Sequence, residues 1–207
     1  MHGQGKKPRG LRDRARAAVV PLVACCMLLI MAVAALAVDA SGAYRARAAQ
    51  QQTMELAKDS ALSSLNYLKF ADDPAAATAS CVEDALAAEK FTGTATITYH
   101  ELPESQTGSS DRVAGVYVKL EGTYKTTFSH TLGVSEMPVA SEIAWTTNPY
   151  SDTVVFRPSV PVQNRTYKVK YEAGAGTLLS SAAAPELPGE PEALRRALTE
   201  ALGHLGG

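Results

Sequence analysis

The pattern of apolar and polar positions changes character several times along this chain, and each change predicts a different element. From Ala17 to Val38 no charge interrupts the apolar run. At ~1.5 Å rise per residue, about 22 such residues reach across a bilayer as a helix. Pro21 lies near the start of the run, where first-turn N–H groups have no helical acceptor and the ring is tolerated. Past Asp39, uniform hydrophobicity gives way to a stripe. Met54, Ala57, Ala61, Leu65 and Leu68 recur at helical steps, with Gln50, Gln51, Gln52, Glu55, Lys58 and Asp59 on the remainder. The expectation is one helix from about Ala17 to Phe70, unbroken at Asp39 and at the weak Ser41-Gly42 pair, and stopped by Asp72-Asp73-Pro74. Ala75–Lys90 carries Val82, Ala85, Leu86 and Glu89 at the spacing of a second, shorter helix.

From Phe91 the period becomes two. Ala95, Ile97 and Tyr99 alternate with Thr94, Thr96 and Thr98; Val116, Val118 and Leu120 alternate with Tyr117 and Lys119. Gly122 is read as a break. Tyr124, Thr126 and Phe128 then suggest a third strand, Leu132-Gly133-Val134 a turn, and Val139, Ser141, Ile143 and Trp145 a fourth strand. Leu102–Asp111 reads as a loop. Asn148–Val162, with Pro149, Pro158 and Pro161, has room only for an edge segment. Arg165–Glu172 alternates once more and is expected at a sheet edge. Ala173–Gly189 is small, polar and Pro-containing, a flexible linker by composition. Beyond it Pro191 can open a helix lined by Leu194, Leu198, Leu202 and Leu205. That helix either folds back on the domain or docks on a partner; the pattern allows both.

The expected fold is therefore α+β and pilin-like: a long N-terminal helix, transmembrane in its first half and amphipathic in its second, packed on an antiparallel sheet of four to five strands. The expected segments are a basic tail over 1–16, a transmembrane helix over 17–38, an exported domain over 39–172, and a linker with a short amphipathic helix over 173–207.

Charge gives the span a direction. Lys6, Lys7, Arg9, Arg12, Arg14 and Arg16 precede it against Asp13 alone, although the whole chain has a net charge of −1. Under the positive-inside tendency the tail stays cytoplasmic and the bulk lies outside, in a single-pass topology. The mildly acidic remainder argues against a nucleic-acid partner. Two other readings of the span stay open. Ala35-Leu36-Ala37 resembles a signal-peptide cleavage site, and Leu22-Val23-Ala24-Cys25 resembles a lipoprotein box. The length of the apolar run favours a retained anchor over either.

The chemistry-bearing residues form no recognisable constellation. Cys25 and Cys26 lie inside the span, leaving Cys81 without an exported partner and without a basic neighbour to activate it. His100-Glu101 lacks the second histidine of a zincin helix, adjacent Ser129-His130 is not a catalytic arrangement, and Gly174-Ala175-Gly176 lacks the lysine and helix of a phosphate loop. Asn164-Arg165-Thr166 matches a glycosylation sequon. The expectation is a non-enzymatic protein with no catalytic residue, no metal ligand, no cofactor and no small-molecule substrate.

One resemblance goes further. The segment AVDASGAYRARAAQQQTMELAKDSALSS, directly after an apolar run containing Pro21, resembles the start of TadE/TadG-like proteins of the Tad (Flp) pilus-assembly system. Pro21, Val38, Asp39, Tyr44, Arg47, Gln51 and Asp59 carry it. TFSHTLGVSEMPVASEIAW resembles a second family pattern, a Phe-x(3)-Leu-Gly turn before a strand, on Phe128, Leu132 and Gly133. The chain departs from pilin-like members at the prepilin cleavage pattern: Gly10 is followed by Ala15 where a Glu would stand. The resemblance implies a membrane-anchored minor pilin-like protein or assembly factor, with pilin and platform proteins as partners. The candidate helix-packing face is Ala34, Met54, Ala57, Ala61, Leu65 and Leu68. A generic exported binding module, an adhesin or receptor ectodomain on one anchor, is the alternative.

Overall fold

The computed structural model describes residues 11–64, 68, 71–102, 113–146, 162–172, 175–180 and 191–205, with side chains outside 11–18, 175–180 and 201–205. The chain divides into two compact units: Met1–Ala43 with Lys125–Met137, and Tyr44–Tyr124 with Pro138–Gly207. The fold is α+β, a long helix packed on an antiparallel sheet.

Helix α1 spans Leu11–Ser63 and passes through Asp39 as expected. Ser41 donates its hydroxyl to the Val38 carbonyl at 2.7 Å, so this weak helix former meets its hydrogen-bonding needs on the helix itself. The helix starts before Ala17, inside the segment expected only as a basic tail: Leu11–Arg16 is helical, consistent with its Leu, Arg and Ala content. It ends before Phe70; of the expected extension, Leu65–Tyr67, Lys69 and Phe70 lie outside the described residues. Among the described residues α1 is one helix long and apolar enough to cross a membrane. Its large apolar side chains from Val19 to Val38 are exposed, as a lipid-facing surface would be.

In the second unit, α2 (Pro74–Ala88) follows. Asp73 does not only end what precedes: its carboxylate accepts the Ala76 amide at 3.1 Å and caps α2, with Pro74 opening the first turn. The far end closes with Lys90 N–H donating to the Ala87 carbonyl and Phe91 N–H to that of Leu86, a Schellman arrangement. Lys90 takes the left-handed conformation there, at φ 55°.

The sheet contains β1 (Gly93–Leu102), β2 (Val113–Lys125), β3 (Glu136–Thr146), β4 (Asn164–Glu172) and β5 (Ala175–Ser180), in the order β3-β2-β1-β4-β5. β1 pairs antiparallel with β2 and β4, and β4 with β5. Three expectations are corrected. Gly122 does not break β2, which runs on to Lys125; Thr126–Phe128 are not a strand. At Gly122 a Cβ would stand 3.0 Å from Gln50 Nε2 and 3.3 Å from the Thr92 carbonyl oxygen, so the glycine marks a crowded position within the strand rather than a turn. β4 is interior, not an edge, because β5 pairs beyond it. β5 itself occupies part of the expected linker: Ala175–Ser180 pairs antiparallel with β4. Residues 103–112 and 147–161, expected as a loop and as a Pro-rich edge segment, lie outside the described residues.

The alternation in β1 and β2 produces two faces. Ala95, Ile97, Tyr99, Val116, Val118 and Leu120 share a core with Met54, Ala57 and Ala61 of α1 and Ala79, Val82 and Leu86 of α2. This is the amphipathic stripe in its expected place; burial of such side chains is worth ~1.5–3 kcal/mol for each large one. Phe91 and Tyr171 meet edge to face, with ring centroids 5.6 Å apart. A helix on one face of a sheet leaves the other face to water, yet here part of that face is covered. Helix α3 (Glu192–Leu205) buries Leu194 and Leu198 against Leu102, Val113 and Tyr117. Gly115 makes the seat: a Cβ there would lie 2.7 Å from Leu194 Cδ1 and 2.9 Å from Leu198 Cδ2. The C-terminal helix thus folds back on its own domain, which resolves the choice its pattern left open.

Candidate functional site: an aspartate clamp on the apolar helix

In the first unit a carboxylate stands immediately after the apolar run. Asp39 is completely buried, although its neighbours Val38 and Ala40 on α1 are exposed. What covers it is the loop leaving β2. The amides of Thr127, Phe128 and Ser129 all donate to the carboxylate, at 2.8, 3.0 and 2.5 Å. Burying an ionised carboxylate is costly unless its oxygens are satisfied, and three aligned N–H donors do that. Burial pushes the Asp39 carboxyl up; the amides of Ser129, Thr127 and Phe128 outweigh it and hold the carboxyl down at about 2.

The loop is closed by its own bonds. Thr126 N–H donates to the Ser135 carbonyl at 3.0 Å, and the Thr126 hydroxyl to that of Val134. A 3₁₀ turn, Ser129–Leu132, follows, with Thr131, Gly133 and Val134 amides returning to Phe128, His130 and Ser129 carbonyls. Gly133 ends it at φ +88°, a conformation that favours glycine. Phe128, which precedes the turn, has no capping side chain of its own. Asp39 supplies the cap from far away in sequence.

Of the residues singled out by pattern or resemblance, the structure brings Asp39 and Phe128 together and builds Leu132 and Gly133 into the same loop. Phe128 is 51% exposed and Leu132 58%. Pro21, Val38, Tyr44, Arg47, Gln51 and Asp59 lie on α1 with exposed side chains and do not converge. Ala34 is exposed, whereas Met54, Ala57, Ala61 and Leu68 are buried. That part of the candidate packing face belongs to the domain's own core, the packing expected of the stripe. Leu65 lies outside the described residues. Pattern reading missed the roles of Thr127 and Ser129, which act through backbone amides and so leave no side-chain signature. It also missed Gly115.

Elsewhere, Glu101 is buried in a polar junction. Tyr99 donates to its Oε1 at 3.2 Å and the Gln163 amide to its Oε2 at 2.9 Å, while the Glu101 amide donates to Asn164 Oδ1 at 3.1 Å. Asp73 and Arg165 pair nearby at 2.5 Å. These bonds pin the entry of β4, and they occupy the sequon asparagine structurally. His100 belongs to β1, not to a helix. Cys81 Sγ lies 3.7 Å from Ser60 Oγ. Among the described residues, no three His, Cys, Asp or Glu side chains converge as metal ligands. An open depression of about 350 Å³ at Thr92, Gly93, Thr94, Glu121, Gly122 and Thr123 offers hydroxyls and a single carboxylate.

Compared with known proteins, the chain matches no family model, no curated protein and no solved structure.

Proposed function

We propose that this protein is a non-enzymatic, membrane-anchored component of a Tad (Flp)-type pilus or a related secretion machine, acting as a minor pilin-like subunit or an assembly factor. In this reading the basic N-terminal segment is cytoplasmic, the sheet unit lies outside, and the partners are pilin and assembly-platform proteins. One observation carries it. The two segments that resemble TadE/TadG-like proteins, far apart in sequence, meet through Asp39 and the amides of Thr127, Phe128 and Ser129. Residues 37–43 of the first likeness and 127–137 of the second thus fall within one compact unit, which supports reading them together. A helix with a lipid-compatible first half and a second half built into a sheet domain also suits a subunit that works by contact. The exposed Ala34 offers a small-residue position for helix packing in lipid.

Deleting the gene should abolish or sharply reduce surface fibres while the major pilin is still made, and the wild-type gene should restore them. Ala34→Leu should insert normally yet restore fibres poorly. Fibres unchanged in number and length after deletion would reject the reading and leave the exported binding module in its place.

A further inference from the structure

We propose that the loop between β2 and β3 is a lipid-contacting element whose Phe128 and Leu132 side chains seat at the boundary of headgroups and acyl chains beside the protein's own membrane span. The proposal rests on the anchoring part of the preceding reading and is independent of the pilus assignment.

Three observations lead there. The first is depth. Asp39 directly follows the apolar run, and its carboxylate holds the amides of Thr127, Phe128 and Ser129 within hydrogen-bond distance. Wherever Val38 leaves the hydrocarbon, Phe128 is at that level.

The second is side-chain chemistry. Thr126–Ser135 contains no Asp, Glu, Lys or Arg, and it exposes Phe128 by 51%, Leu132 by 58% and Val134 by 41%. Aromatic and aliphatic side chains on a loop whose remaining side chains are hydroxyls and His130 suit the bilayer boundary.

The third is the backbone. A peptide group entering lipid must find its partner inside the protein. The amides of Thr126, Thr127, Phe128, Ser129, Thr131, Gly133 and Val134 all have one, either in Asp39 or in the loop's own carbonyls.

The test uses the full chain reconstituted in phosphatidylcholine/phosphatidylglycerol vesicles. Trp145 is the single tryptophan and is 5% exposed, so the native protein serves as the unquenched reference. In a Trp145→Phe background, Phe128→Trp and Leu132→Trp place the reporter on the loop by two separate substitutions. Lipids brominated near the headgroup end of the chains should quench both by roughly twofold or more, and lipids brominated near the chain ends should quench less. Flotation with the vesicles and resistance to alkaline extraction test the anchor separately. Loss of both would overturn the anchor and this proposal with it. Retained flotation with emission quenched by aqueous iodide and not by brominated lipid would overturn this proposal alone. Protection from both quenchers, with dimers trapped through Leu132→Cys in a chain whose native cysteines are Ser, would also overturn it and give the loop to a second copy.

Discussion

The loop at Lys125–Met137 and the sheet domain are held by opposite kinds of interaction. In the sheet domain, apolar side chains such as Ile97, Val118 and Leu86 disappear from solvent and little depends on one contact. In the loop the apolar side chains remain outside, and the backbone gathers around one buried carboxylate. The first arrangement tolerates substitution in proportion to the volume lost. The second concentrates its stability on a charge, and charge can be removed by a proton.

The comparison is broken most severely from the core side. Ile97→Ala should cost ~2–5 kcal/mol, because Ile97 is fully buried at the centre of the sheet and the cavity cannot close completely. Chemical denaturation followed by circular dichroism measures this. Amide exchange at 127–129 under native conditions should be unaltered, since Asp39 keeps its bonds.

The acid response sharpens the comparison from the other side. With its carboxyl held down at about 2 against an ordinary 3.8, Asp39 contributes fully above about pH 4. That contribution is lost as pH falls toward 2 and the folded form takes up its proton. Protection of the Thr127, Phe128 and Ser129 amides, taken relative to the intrinsic exchange rate at each pH, should fall over that window. Asp39→Asn should produce the same loss at neutral pH, by roughly tenfold or more, the factor expected of one hydrogen bond to a charged group. Exchange that stays slow in the Asn variant would mean the loop is held by its internal bonds alone.

These two regions also differ in how far they could be read in advance. The core was legible because its information is periodic: the Met54, Ala57 and Ala61 stripe and the Ala95–Tyr99 alternation each state a face. Their partners then follow from the need to bury it. Gly122 misled because a glycine in a strand marks either a turn or a crowded position, and only its neighbours Gln50 and Thr92 decide. β5 was hidden because its composition is that of a linker and its pairing is supplied by β4. The clamp was half legible. A lone acid at the end of an apolar run is visible; its acceptance of three amides is not, since any residue but proline offers that donor.

The smallest effect lies at the end of α2. Lys90 occupies the Schellman position in a left-handed conformation, which costs a side-chain-bearing residue ~1 kcal/mol relative to glycine. Lys90→Gly should raise stability by up to about that amount, read as a rise in denaturation midpoint with no change in slope. The loop should not register it.

The order of strands has a consequence for how the chain acquires its structure. β1 is the middle strand, flanked by β2, which follows closely, and by β4, which begins only at Asn164. During synthesis β1 and β2 emerge together and can form a hairpin, but that hairpin keeps a bare edge until β4 arrives. A hairpin alone is marginal in water, and an unpaired edge invites association with other chains. Pairing across so long a separation is slow to nucleate. The last helix seals Leu102, Val113 and Tyr117 later still. This domain therefore completes its fold only once its C-terminal part has been made, and a chain truncated before Asn164 would present a nascent sheet with its central strand exposed.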